Sequence, residues 1–299
     1  MTVRVLVSYH YHRDTDLAAL VAELGGDVDL FADSGAYSAA TTGAAISLPD
    51  YAAWLRQWAP LLTVQAALDV IGDHEATARN VDRLRDAGCD PLPVFHVGEP
   101  WPVLEALCAT NRYIALGGMA LLAVGQAKQR PLMAWLVRCF RTAVPYGTVF
   151  HGFGMTSPAL IRSLPFYSVD SSSYLMGRRF GLAYLWDDPA GKIRSVFFRN
   201  PAEVRPYADL LRRHGLDPAR TIAPDYLRAG TPGFTRERAE LGAASARAYQ
   251  FMERHLTARH RVPAPPLPRA DTEGTKVYLA ASAREDFVPL TLLTPAGRP

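Results

Sequence analysis

Three aspartates in this sequence end apolar, β-rich runs: Asp33 after DLFA, Asp69 after VQAAL and Asp170 after FYSV. His10, His96 and His151 stand at the ends of three more such runs, and Gly117-Gly118-Met119 follows YIAL. One Asp after a strand is commonly the N-cap of the next helix, and one His in such a place is commonly a hydrogen-bonded structural residue. Three carboxylates at three run ends need partners or a task, because a buried charge is costly. A carboxylate-rich set with neither Lys nor Cys suits attack at an anomeric carbon, where one carboxylate can hold a covalent glycosyl intermediate. A second carboxyl can move the proton of the departing or arriving base, and a third can accept from the paired N–H donors of a guanine-like edge.

The elements that must position these residues alternate. Runs at 3–9, 29–34, 63–71, 91–97, 113–118, 148–154 and 166–172 read as strands, and helical periodicity fills 48–60, 74–89, 100–110 and 131–143. Strand alternating with helix means βαβ units and a parallel sheet. Seven largely apolar strands, with no G-x-G-x-x-G after the first, predict a (β/α)₈ TIM-type barrel rather than a dinucleotide-binding sheet. The chemistry of such a barrel sits at the C-terminal ends of its strands, where the polar residues fall. The eighth strand is expected from 181–187 or 193–199. A barrel domain is therefore expected over 1–199 and a basic helical extension over 200–261, with helices at 201–215 and from about Thr235 to His260. A Pro-rich linker (262–270) and a tail complete 262–299, and VYLAA in that tail can fold back as a strand.

Composition narrows the classes. The chain has 299 residues, 49% of them apolar and 20% charged, which excludes wholesale disorder. No apolar run approaches the roughly 20 residues of a membrane span, and the N-terminus carries no signal-peptide apolar region, so a cytoplasmic protein with no membrane partner is expected. Cys89, Cys108 and Cys139 are too widely spaced for a disulfide framework or a Cys-x-x-Cys zinc site, so no metal or other cofactor is expected. Residues 1–198 carry 16 Lys and Arg against 18 Asp and Glu, whereas residues 199–260 carry 11 against 7. An acidic body with a basic flank is compatible with a nucleic-acid partner. At helical spacing Arg236, Arg247 and Arg254 share one face of the last helix, a sparse stripe.

The segments ADSGAYS (32–38), ALDVI (67–71), PVFHVGE (93–99), YIALGGMA (113–120) and HGFGMTSPALIRSLPFYSVDSSS (151–173) resemble the tRNA-guanine transglycosylase superfamily, and most closely its DNA-acting, DpdA-type branch. The resemblance covers roughly residues 5–185. It implies Asp170 as the nucleophile that attacks C1′, and Asp33 as the residue of proton transfer and base contact. It implies that Tyr37 stacks on the bound base, that Asp69 reads its guanine-like edge, and that Gly117, Gly118 and Met119 let backbone approach it. His96 falls where the tRNA enzymes have Gln, and His151 where they have a Met under the base. Arg178 and Arg179, in the loop after Asp170, are candidate phosphate clamps. The zinc cluster of the tRNA enzymes has no counterpart here. The activity this implies is exchange of guanine in DNA for a free 7-deazaguanine base such as preQ0. The alternatives are base exchange on tRNA or on a small nucleoside, and a non-catalytic barrel that binds a base.

Overall fold

The computed structural model describes residues 2–25, 27–119, 126–155, 157–267 and 273–293. A parallel barrel forms its centre. Its strands are β1 (Val3–Ser8), β2 (Val28–Asp33), β3 (Leu62–Ala66), β4 (Pro91–Leu92), β5 (Val94–His96), β6 (Tyr113–Gly117), β7 (Val149–Gly152) and β8 (Ser168–Ser171). β4 and β5 are one run broken at Pro93, which has no N–H to give to a ladder. β4 pairs with β3 and β5 with β6, so the interrupted run joins the two ends of the sheet.

The remaining position lies between β8 and β1, and neither expected segment fills it. Residues 181–187 and 193–199 instead contribute an antiparallel hairpin, β9 (Leu182–Asp187) and β10 (Lys192–Phe197), outside the barrel. Only four residues separate the two strands, far fewer than the dozen or so that a parallel crossover needs. β10 also leaves most of its residues partly or fully exposed, whereas barrel strands are covered on both faces. The barrel is closed by β11 (Lys276–Ala281), whose KVYLAA pairs in parallel with both β1 and β8. The barrel is therefore not confined to residues 1–199. Of the linker 262–270, residues 268–270 lie outside the described residues.

Short side-chain caps set the helices between the strands. Asp16 caps Leu17–Leu24, Ser47 caps Leu48–Trp58 with Pro49 in its first turn, and Asp73 caps His74–Asp86. Between β8 and β11 the chain makes a long excursion through the hairpin, several short helices and a long helix, Phe234–His260. That helix buries twelve residues, many of them small, against β9, β11 and the segment 288–291. Leu6, Phe31, Val64, Tyr113 and Tyr278 fill the barrel interior as one apolar cluster.

Below that cluster lies a buried ionic floor. Arg4 on β1 bonds Asp29 on β2, and its Nε lies 3.1 Å from Glu253 Oε1 of the long helix. Tyr278 Oη donates to Asp29 at 3.1 Å, and Glu253 accepts the Val277 N–H at 2.8 Å. Among the described residues no helix is long and apolar enough to cross a membrane.

Candidate active site

At the C-terminal end of the barrel a cavity of about 560 Å³ opens. Asp33, Tyr37, Asp69, His96, Gly117, Gly118, Met119, Asp170 and Arg179 all line it, so the structure brings together nine of the eleven residues given a role from the sequence, while His10, also at a run end, is not in its lining. His151 and Arg178 are the two that do not line it.

Asp33 is the last residue of β2, and its Oδ2 accepts the Gly35 N–H at 3.1 Å. Gly35 has φ +78°, and a Cβ there would lie 2.2 Å from Ser8 Oγ; only glycine permits this turn. Burial, and then the like charges of Asp69 and Asp170, push the Asp33 carboxyl up to about 7. At neutral pH this group can therefore both give and take a proton. Tyr37, in the helix that follows, is 53% exposed at the mouth.

Asp170, on β8, is held differently. Its Oδ1 accepts the Gly154 N–H at 2.8 Å, from the turn after β7, where φ is +60°. His151 Nε2 lies 3.3 Å from the same oxygen, close but off the line of a hydrogen bond. Oδ2 has no partner among the described residues, so one oxygen is anchored while the other remains open.

The third carboxylate is clamped. Asp69, in the loop after β3, places Oδ2 2.7 Å from His96 Nε2, and His96 Nδ1 lies 3.0 Å from Glu99 Oε1. Glu99 Oε2 also accepts the His96 backbone N–H at 3.0 Å. Burial alone would lower the imidazole pKa, but the bonds to Asp69 and Glu99 outweigh it and hold His96 up to about 9. His96 is thus an imidazolium at neutral pH, with both ring N–H groups committed to carboxylates. A Cβ at Gly117 would lie 2.6 Å from His96 Cδ2, so glycine there makes room for the ring.

Two expectations change. His151, expected at the base, is fully buried beneath Asp170 and stacks against Phe31. Its strand is in register with β8 at Ser168, one layer below the rim. Arg178, expected on phosphate, bonds the Glu285 carbonyl and lies 3.5 Å from Asp286, bracing the segment after β11. Arg179 alone of the pair faces the cavity. Most arginines of the long helix also have partners within the molecule, and Arg254 of the expected stripe is exposed and lies over the Phe251 ring. Arg238 donates to the Arg178 carbonyl, Arg247 to those of His214 and Leu292, and Arg259 to that of Arg162, while Arg236 pairs with Glu240.

Sequence reasoning missed Glu99 as a partner of His96, although the three-residue spacing was visible. It also missed Ser168, two residues before Asp170 and thus on the same face of the strand. Among the described residues no group of His, Cys, Asp and Glu is arranged to hold a metal ion, and the three cysteines are buried. Fold and site together define a parallel α/β barrel with a carboxylate-lined cavity at the C-terminal ends of its strands. No protein-family model matches the sequence, and no curated protein or solved structure matches it.

Proposed function

We propose that the protein is a base-exchange transglycosylase that replaces guanine in DNA with a 7-deazaguanine such as preQ0. The observation that carries this reading is the pairing in one cavity of two unlike carboxyls: Asp170 with one oxygen anchored and one open, and Asp33 raised to about 7. A raised, proton-carrying carboxyl beside a second carboxylate with an open oxygen suits a proton carrier and a nucleophile. Asp170 Oδ2 bonds to C1′ as the C1′–N9 bond breaks, and guanine leaves with that electron pair and the proton of Asp33. The incoming base gives its proton to Asp33, attacks C1′ and frees Asp170, so both groups return to their starting states. Asp69 Oδ1, opposite the oxygen held by His96, accepts from the guanine-like edge. In a duplex the nucleotide must first flip out of the stack, at a cost of a few kcal/mol.

A second reading has one observation in its favour. Arg238, Arg247 and Arg259 of the long helix donate to backbone carbonyls, which leaves Arg236 and Arg254 exposed along it, a sparse track, and a guanine nucleoside needs none. Incubation with radiolabelled guanine and, separately, DNA, tRNA or guanosine decides between them. Label entering DNA is the expected result. Label entering only guanosine selects the nucleoside reading, and label entering none of the three overturns base exchange.

A further inference from the structure

Beneath Asp170 a line of polar groups crosses the otherwise apolar barrel interior. Tyr113 Oη on β6 lies 2.5 Å from Ser168 Oγ on β8, which lies 2.6 Å from His151 Nδ1 on β7. The far ring nitrogen of His151 is the one 3.3 Å from Asp170 Oδ1. All three residues are buried, and the imidazole packs among the rings of Phe31, Phe153 and Tyr278. The exchange chemistry proposed above uses none of them, yet buried polar groups inside a barrel call for an account.

We propose that His151 is a positioning residue for the nucleophile: the Tyr113–Ser168 chain fixes its imidazole as the Nε2–H tautomer and aims that N–H at Asp170 Oδ1, which leaves Oδ2 as the attacking oxygen. This deepens the base-exchange reading and rests on it for the role of Asp170.

The direction of the chain follows from what each end tolerates. Tyr113 is buried, and desolvation holds its phenol well above the usual value, so it keeps its proton and must donate it. Ser168 Oγ is its partner. Ser168 therefore accepts from Tyr113 and donates its own proton to His151 Nδ1. The imidazole stays neutral, since burial lowers its pKa despite Asp170 nearby. With Nδ1 accepting, the ring's one proton sits on Nε2, facing the carboxylate. The reverse direction fails at both ends: the Tyr113 hydroxyl proton would have no acceptor among the described residues, and an imidazole lone pair would face a carboxylate oxygen. Each fault leaves a buried polar group unsatisfied. In this structure the Gly154 N–H is the one donor bonded to Oδ1; the His151 N–H, 3.3 Å away and off line, becomes the second when substrate fills the site and the contact tightens.

The test has a spectroscopic and a kinetic arm. In protein carrying ¹⁵N-labelled histidine, with the His151 signals assigned by their loss in His151→Gln, the expected pattern at pH 7 is a neutral ring protonated on Nε2. Tyr113→Phe removes the terminal donor and frees Ser168 to reverse, so the Nδ1–H tautomer should gain population. Ser168→Ala leaves Nδ1 without its donor while Asp170 still favours a proton on Nε2, so the Nδ1 signal should shift to that of an unbonded nitrogen and kcat for exchange should fall roughly tenfold, the scale of a lost positioning bond, with KM for the free base little changed. Ser168→Thr, which keeps the hydroxyl, should restore both. A wild-type His151 that is protonated on Nδ1, or is an imidazolium at pH 7, overturns the proposal. So does a Ser168→Ala variant with the Nδ1 signal and kcat of wild type. Absence of exchange in wild type defeats the reading of Asp170 as a nucleophile, while the ring signals still decide the direction of the chain.

Discussion

Asp29 and Asp33 lie on the same strand, point to the same side of it, and meet opposite surroundings. Asp29, at the floor of the barrel, is bonded to Arg4 and to the Tyr278 hydroxyl, and Arg4 is shared with Glu253. Asp33, four residues on at the rim, faces two more carboxylates and accepts a backbone N–H. The floor sets opposite charges together and leaves little for a ligand to do. The rim sets three carboxylates together with one imidazolium, His96, that is committed to Asp69 and Glu99, and leaves the repulsion at Asp33 unrelieved. A buried carboxylate with a cation beside it is a structural device, and one among carboxylates is held ready for chemistry.

The largest effect expected from this contrast is at Asp170. Asp170→Asn removes the proposed nucleophile, and an amide cannot take its place at the anomeric carbon. Base exchange should fall below detection while the fold stays within about 1–2 kcal/mol of wild type, because no cavity is made. Wild type mixed with DNA and free base should form a denaturation-resistant protein–nucleic acid adduct, and the variant none. Near-normal exchange by Asp170→Asn would move the covalent step to another residue. Next in size is Asp33→Asn, which should slow exchange by about 10²–10⁴-fold, the usual share of proton transfer.

Stability gives the same contrast an independent readout. An ordinary Asp titrates near 4, whereas Asp33 in the fold titrates at about 7. Between those values the folded chain holds a proton that the unfolded chain has lost, so stability falls as pH rises from 4 to 7. The total is on the order of 4 kcal/mol. Asparagine carries no charge, so Asp33→Asn should be more stable than wild type at pH 8 and match it at pH 4. Asp29→Asn should do the opposite at pH 8. It leaves Arg4 short of a partner, a fault that costs up to about 3–5 kcal/mol in a buried pair. Denaturant unfolding of both variants at the two pH values checks this. Two variants shifted in the same direction at pH 8 would show that floor and rim do not differ in the way argued.

The rim was legible in the sequence because it lies where apolar runs stop. Asp33, Asp69, His96 and Asp170 each follow such a run, and the barrel rule places those ends together. Closure of the barrel was not legible. KVYLAA is a short run beyond a Pro-rich stretch, about a hundred residues after β8, and local pattern says nothing of a partner that distant. The hairpin 182–197 offered two nearer apolar runs, and only the brevity of its turn argued against them. The floor did leave a trace that went unread. Arg4 in VRVLV and Asp29 in VDLFAD are charged residues within buried strands, and two such residues on neighbouring strands suggest a pair.

The smallest effect expected sharpens the contrast inside the rim itself. Asp69 is the rim carboxylate that does have a cation, and the His96–Glu99 clamp fixes one of its oxygens. Asp69 should therefore act as a fixed acceptor and not as a proton carrier. Asp69→Asn replaces one acceptor with a donor, which cannot accept from a guanine-like edge and also points an N–H at His96 or at the base. Loss of one charge-assisted bond, roughly 1.5–3 kcal/mol, weakens the base about tenfold or more. That loss should appear in the affinity for guanine and preQ0, measured by calorimetry, with the chemical step less affected than in Asp33→Asn. The clamp adds a pH signature. Its contribution is fully present below the ordinary histidine value near 6.5 and is lost as pH rises through about 9, where His96 gives up its proton. Wild-type affinity for the base should hold from pH 7 to 8 and decline above 9, and Asp69→Asn should lose that decline. If Asp69→Asn binds both bases as wild type does, the clamped carboxylate is part of the scaffold, as Asp29 is, and another group reads the base.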